Sequence, residues 1–146
     1  MSEHRASVAW ERTTEDFSYE AYSRNHTWTF ENGLEVAASA APGFRGDPSR
    51  VDPEAAFVAA LSSCHMLTFL AIAARKRLVV DDYHHAVGYL EKDEGGKLAI
   101  TRVILRPQVT FREPPAPAVV ERMHHTSHEE CFLARSVKTE VRVEPL

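Results

Sequence analysis

Between residues 8 and 38, apolar and polar positions alternate with the period of a half-buried strand. Phe17, Tyr19 and Ala21 alternate with Ser18 and Glu20, and the pattern resumes at Thr27-Trp28-Thr29-Phe30 and again at Leu34, Val36 and Ala38. Asn32-Gly33 lies between the last two runs, and both residues tolerate the positive φ of a tight hairpin turn. Residues 41–52, rich in Pro and Gly, read as a loop. Asp52-Pro53-Glu54 then starts a helix, with an N-cap acceptor, a proline at the first helical position and an acid in the first turn. The cations Arg75, Lys76 and Arg77 suit its C-terminus. Strands over Val79–Leu90 and Leu98–Phe111 flank the turn Asp93-Glu94-Gly95-Gly96, with Pro107 expected at an edge or a bulge. Pro114 to Pro117 introduce a second helix over about 117–134, whose Val120, Met123, Ser127, Cys131 and Ala134 share one face. Val137, Thr139, Val141 and Val143 alternate with charged residues in a last strand. No internal repeat or linker interrupts this order, so the expectation is one α+β domain, residues 1–146, with helices packed on antiparallel sheet.

The stretch from Ala55 to Ala74 has no Asp, Glu, Lys or Arg and is long enough to span a bilayer. Ser62-Ser63-Cys64-His65 breaks its middle, so a helix buried in a protein core is the better reading, with no membrane partner. With 17 basic and 21 acidic residues the net charge is -4, which argues against a nucleic-acid binder held by phosphate neutralisation. Two cysteines are too few for a disulfide-stapled scaffold, and the polar opening MSEHRASVAW lacks the apolar core of a signal peptide. The expected location is therefore cytoplasmic. There Cys64 and Cys131 are reactive, metal-binding or simply buried.

Both cysteines fall on faces that point inward, so two packed helices can set their sulfurs side by side. Thiol reactivity requires the thiolate, which needs a nearby cation or a helix N-terminus. Cys64 is mid-helix, so any such partner comes from elsewhere in the fold. His124, His125 and His128 have the i,i+3 and i,i+4 spacing of a metal-chelating face. They lack a tight Cys-x-x-Cys or His-Glu-x-x-His pattern, so the reading is of exposed helix histidines, with His128 packed near Cys131 and no metal. His65, next to Cys64, points about 100° away around the helix and cannot simply serve as its base. His84 and His85 project to opposite faces of a strand and carry no motif.

The run Asp52 to His65, with Cys64 ten residues after Glu54, resembles the first-helix motif of the OsmC/Ohr family of thiol-dependent peroxidases. His128-Glu129-Glu130-Cys131-Phe132-Leu133-Ala134 resembles the family's second-cysteine motif, and Tyr22 to Trp28 is similar to the segment carrying its active-site arginine. Ser136 to Val141 fits the family's last strand, so the resemblance runs through nearly the whole chain. It implies an intertwined homodimer with antiparallel sheets wrapped around two long central helices. It implies reduction of organic hydroperoxides, in some members also hydrogen peroxide, without metal or other cofactor. Cys64 would attack the peroxide and become a sulfenic acid, and Cys131 would resolve it to a disulfide. A dithiol, lipoyl-type or thioredoxin-like, would restore both thiols. Arg24 would stabilise the Cys64 thiolate and orient the peroxide, and Glu54 would hold Arg24.

On a straight helix Glu54 and Cys64 stand about 15 Å apart, too far for one guanidinium to serve both. Either the chain bends between them or the arginine moves; Arg45 or Arg50 could also replace Arg24. His65 stands where many family members carry an apolar residue, which bears on the choice of peroxide. Phe57, Leu61, Met66, Leu67, Phe69 and Leu70 are core candidates that could also wall an apolar pocket. The competing reading is a non-enzymatic small-ligand or metal-binding protein on the same fold.

Overall fold

The computed structural model describes residues 2–146, and all their side chains except those of His85 and Ala86. The chain forms two compact units, residues 1–56 and 57–146, whose boundary falls in the first turn of the long helix. The first unit carries three antiparallel strands in sequence order, β1 (Ala6–Ala9), β2 (His26–Phe30) and β3 (Glu35–Ala38). Gly33 takes φ +79° in the β2–β3 turn, as the Asn-Gly pair predicts. The strand expected at Phe17–Ala21 does not form. Asp16 accepts hydrogen bonds from the Ser18 N–H and hydroxyl, and the Ser18 carbonyl accepts from the N–H groups of Ala21 and Tyr22. These local bonds compete with a ladder and turn the chain back on itself. The strand that pairs with β2 is β1, upstream of the alternation.

Helix α1 (Pro53–Arg75) begins where its capping residues place it, with Asp52 Oδ1 accepting from the Ala55 N–H at 2.8 Å. It ends with Arg77 at φ +59°, the Arg77 N–H on the Ala74 carbonyl and the Leu78 N–H on the Ala73 carbonyl. That is a Schellman closure with arginine in the left-handed position usually given to glycine. In the second unit β4 (Val80–Lys92) pairs antiparallel with β5 (Leu98–Phe111), close to the expected hairpin. Pro107 lies in a bulge of β5: between the pairs His84↔Gln108 and Ala86↔Leu105, two β5 residues oppose one on β4. The side chain of His85 lies outside the described residues, and His84 is exposed, 3.4 Å from Asp82.

Two elements depart from expectation. The helix expected over 117–134 is broken at Cys131 into α2 (Pro117–Glu130) and α3 (Phe132–Ser136). The last strand is β6 (Glu140–Val143), and it runs parallel to β5, not antiparallel. A helical crossover explains this: α2 and α3 carry the chain back along the sheet, so β6 re-enters in the direction of β5. The sheet order is β4-β5-β6. Two apolar clusters hold this unit. Leu61 packs with Val103 and Leu105, and Phe69 and Ala73 pack with Met123. On α1 the buried residues Leu61, His65, Phe69 and Ala73 recur every four residues, a single stripe facing sheet and α2.

Candidate functional site

Cys64 lies mid-way along α1, half-buried, and its carbonyl accepts from the Thr68 hydroxyl one turn on. Cys131 is 1% exposed and sits at the break between α2 and α3, with extended backbone at φ -69° and ψ 111°. Its sulfur caps α3, accepting from the Ala134 N–H at 3.5 Å, and its N–H donates to the His128 carbonyl. One turn before the break, the buried Ser127 hydroxyl donates to the Met123 carbonyl at 2.6 Å. Both cysteines are free thiols, and Cys64 lies near enough to Cys131 to influence its titration. Burial, then the neighbouring Cys64 thiol, push the Cys131 thiol up to about 11, so it keeps its proton at neutral pH. The pair is asymmetric: one sulfur is reachable, and the other is shut in and protonated beside it.

The histidines are arranged differently from the expectation of exposed helix positions. His125 is exposed, but His65 and His124 are 1% and 3% exposed, and His65 Nε2 lies 3.2 Å from His124 Nδ1. Their planes differ by 7° and their centroids are 5.5 Å apart. That is the span of two coplanar rings joined end to end, so the contact is an in-line N–H···N bond between imidazoles. Phe69 covers the face of His124 at 4.3 Å. The outer nitrogens, His65 Nδ1 and His124 Nε2, are buried without partners, as is His128 Nδ1. Desolvation lowers both His65 and His124 to about 4, and neighbouring His124 and His128 add to the shift at His65. Among the described residues, no three His, Cys, Asp or Glu side chains are grouped to hold a metal ion. The residues missed as a pair were His65 and His124. A signal existed, because His65 falls on the four-residue stripe Leu61–Phe69–Ala73.

In the first unit Arg24 donates to the carbonyls of Tyr19 and Tyr22, and its guanidinium stacks 3.8 Å from the Tyr22 ring. Its backbone is held as well, since Trp28 donates to His26 Nε2 and His26 Nδ1 bonds the Arg24 carbonyl. Glu54 has one carboxylate oxygen buried without a partner, and no ion pair joins it to Arg24 among the described residues. Of the alternatives, Arg50 pairs with Asp47 at 3.6 Å and Arg45 lies 5.8 Å from the Tyr19 ring. Helix α1 runs without a break from Glu54 to Cys64. Of the apolar pocket candidates, Leu61 and Phe69 are core, whereas Leu67 is exposed.

The model of the OsmC-like protein family matches residues 46–145, a span that contains both cysteines and helices α1, α2 and α3. The chain belongs to the OsmC-like family. Its fold and sequence are similar to those of an OsmC-like protein of unknown function from Vibrio cholerae, at 50% identity over the whole of both chains and a TM-score of 0.95. Organic hydroperoxide resistance proteins share the OsmC-like fold at lower identity. That of Elizabethkingia anophelis is 16% identical with a TM-score of 0.75, covering 99% of this chain and 94% of its own. That of Bacillus subtilis is 17% identical with a TM-score of 0.67, covering 99% and 98%. No curated protein matches the sequence.

Proposed function

We propose that this OsmC-like chain is a thiol-dependent peroxidase that reduces organic hydroperoxides, with Cys64 as nucleophile and Cys131 as resolving thiol. The asymmetry of the neighbouring thiol pair carries this reading. A peroxide must reach the attacking sulfur, and Cys64 is the half-buried member. The resolving thiol needs to reach only Cys64, and a buried, protonated Cys131 beside it meets that need. The Cys64 thiolate attacks one peroxide oxygen and the O–O bond breaks. The departing alkoxide takes a proton, leaving an alcohol and a Cys64 sulfenic acid. The Cys131 sulfur then forms the disulfide, its proton leaving with the sulfenic oxygen as water. A dithiol of the lipoyl or thioredoxin-like class returns both thiols.

The same reading keeps the supporting roles of Arg24 and Glu54. Arg24 would have to exchange the Tyr19 and Tyr22 carbonyls for a charged partner, and the unpaired Glu54 oxygen is a carboxylate acceptor of the kind it lacks. Two of these chains would form a homodimer, cytoplasmic and free of cofactor.

Thiol accounting tests the proposal. One equivalent of an alkyl hydroperoxide should consume both thiols and produce a Cys64–Cys131 disulfide, mapped by peptide mass spectrometry without reductant. Cys64→Ser should abolish peroxide consumption, and Cys131→Ser should accumulate a sulfenic acid that dimedone traps. Dihydrolipoamide or thioredoxin should then support turnover. Two thiols that stay reduced under excess hydroperoxide would sink the proposal in favour of a binding protein.

A further inference from the structure

Cys64 lies within α1 and Cys131 caps the C-terminus of α2, so a disulfide between them requires one relative placement of the two helices. Disulfide geometry tolerates a Cα–Cα span of roughly 4.4–6.8 Å, and a slip of one helical turn is about 5.4 Å. Apolar packing by itself does not prevent such a slip. Met123 of α2 packs with Phe69 and Ala73 of α1, and burial of apolar surface has no preferred direction.

Among the described residues, one side-chain hydrogen bond joins α1 to α2, the in-line contact of 3.2 Å between His65 Nε2 and His124 Nδ1. His65 follows Cys64 directly, so a fixed ring at His65 fixes the height and rotation of the thiol on α1. On α2, His128 stands one turn after His124 and near enough to His65 to bear on its charge. The His128 carbonyl in turn accepts the Cys131 N–H. As core filling the pair is unfavourable. Each ring leaves a buried outer nitrogen without a partner, a loss that two leucines would avoid. What the rings supply and leucines cannot is direction. A hydrogen bond weakens steeply away from linearity, and fixing register is the best-attested use of buried polar contacts.

We propose that the His65–His124 hydrogen bond is a positioning device for the thiol pair, locking α2 in register on α1 so that Cys131 stays within disulfide reach of Cys64. The inference rests on the assignment of Cys64 and Cys131 as attacking and resolving thiols. His65 and His124 are positioning residues, acting through the thiols and not on the peroxide.

The test measures closure of the disulfide in the full chain without peroxide. In glutathione buffers of graded ratio, the protein dithiol gives two electrons and two protons to one glutathione disulfide. The products are the Cys64–Cys131 disulfide and two glutathione thiols. The equilibrium constant, read by alkylation and mass spectrometry, is the effective concentration of the two protein thiols. His65→Leu/His124→Leu removes both polar groups and keeps the core apolar, so its urea midpoint should equal or exceed that of the unaltered chain. Its effective concentration should nevertheless fall about tenfold, the worth of one hydrogen bond. His65→Gln places an amide nitrogen as many bonds from the backbone as imidazole Nε2, so it should hold the value within about twofold. In the unaltered ¹⁵N-labelled chain, scalar coupling between His65 Nε2 and His124 Nδ1 should appear in both the reduced and the disulfide form. An unchanged effective concentration in the double variant would overturn the inference. So would a loss in His65→Gln as large as in the double variant, or a coupling absent from either form. The coupling needs no variant to fold. If the unaltered protein forms no Cys64–Cys131 disulfide in any buffer, the peroxidase reading falls too, which tells the two failures apart.

Discussion

Burial without a countercharge sets how His65 and His124 respond to acid. Both are neutral in the folded chain because charging either would place a cation where there is no carboxylate partner. Their folded values near 4 lie below the ordinary 6.5, so between those limits the unfolded chain binds more protons than the folded one. Stability from this pair is therefore intact above pH 6.5 and lost as the pH falls from 6.5 towards 4. At pH 5 the loss should be about 2 kcal/mol per histidine. Urea unfolding midpoints at pH 7.5 and pH 5 should show this drop, and a His124→Gln variant should show a shallower pH dependence. A midpoint independent of pH over this range would contradict the buried neutral pair. At the same scale Cys64 and Cys131 differ by access. In the native reduced protein, iodoacetamide should label Cys64 at least tenfold faster than the 1%-exposed Cys131, read by peptide mass spectrometry.

At the scale of elements, β4 approaches α1 so closely that a side chain on Gly88 has no room. A Cβ built there would lie 2.3 Å from Cγ2 of Val58, a stiff β-branched side chain. Gly88→Ala should destabilise the protein by about 1–3 kcal/mol through overpacking. Adding Val58→Ala should recover part of that loss, because the clash and the methyl that causes it disappear together. Denaturant titrations of the two single variants and the double variant measure the coupling; additive effects would mean that Val58 is not the obstacle. Most element boundaries were readable because their signals are local. Asp52 and Pro53 start α1, Asn32-Gly33 closes a hairpin, and Pro107 marks a bulge. The strand at Phe17–Ala21 was misread because alternation alone does not outweigh the Asp16 and Ser18 bonds beneath it. The break at Cys131 left no mark in the 3–4 spacing, since Cys131 and Ala134 hold an inward face in either arrangement.

For the whole molecule, α1 raises the question of what covers its second face. It is the one helix among the described residues long and apolar enough to cross a membrane, yet only 17% of its most apolar window is buried in the single chain. One stripe packs in the core of the second unit, while Ala60, Ser63, Leu67, Ala71 and Ala74 are exposed at helical spacing. Small residues around one leucine permit close helix approach, and the proposed homodimer would bury that stripe. Leu67, 60% exposed, makes the test sharp because it contributes little to the core of its own chain. The unaltered protein should sediment as a dimer, and Leu67→Glu as a folded monomer with unchanged helical content. A monomer in both cases would remove the dimer from the proposal.

Local chemistry in the sequence determined where α1 starts and ends and where the hairpins turn. Those features depend on the capping groups, backbone freedom and periodicity of a few neighbouring residues. Tertiary structure alone decided the rest, because it depends on partners far apart in sequence. The crossover through α2 and α3 made β6 parallel to β5. Packing of α1 on α2 joined His65 to His124 across 59 positions and made the Cys64 and Cys131 thiols neighbours. Arg24 and Glu54 show the converse. The family resemblance, not their residue types, implied that Glu54 holds Arg24; the Tyr19 and Tyr22 carbonyls and the Tyr22 ring hold the guanidinium here, an arrangement set by the turn at Ser18.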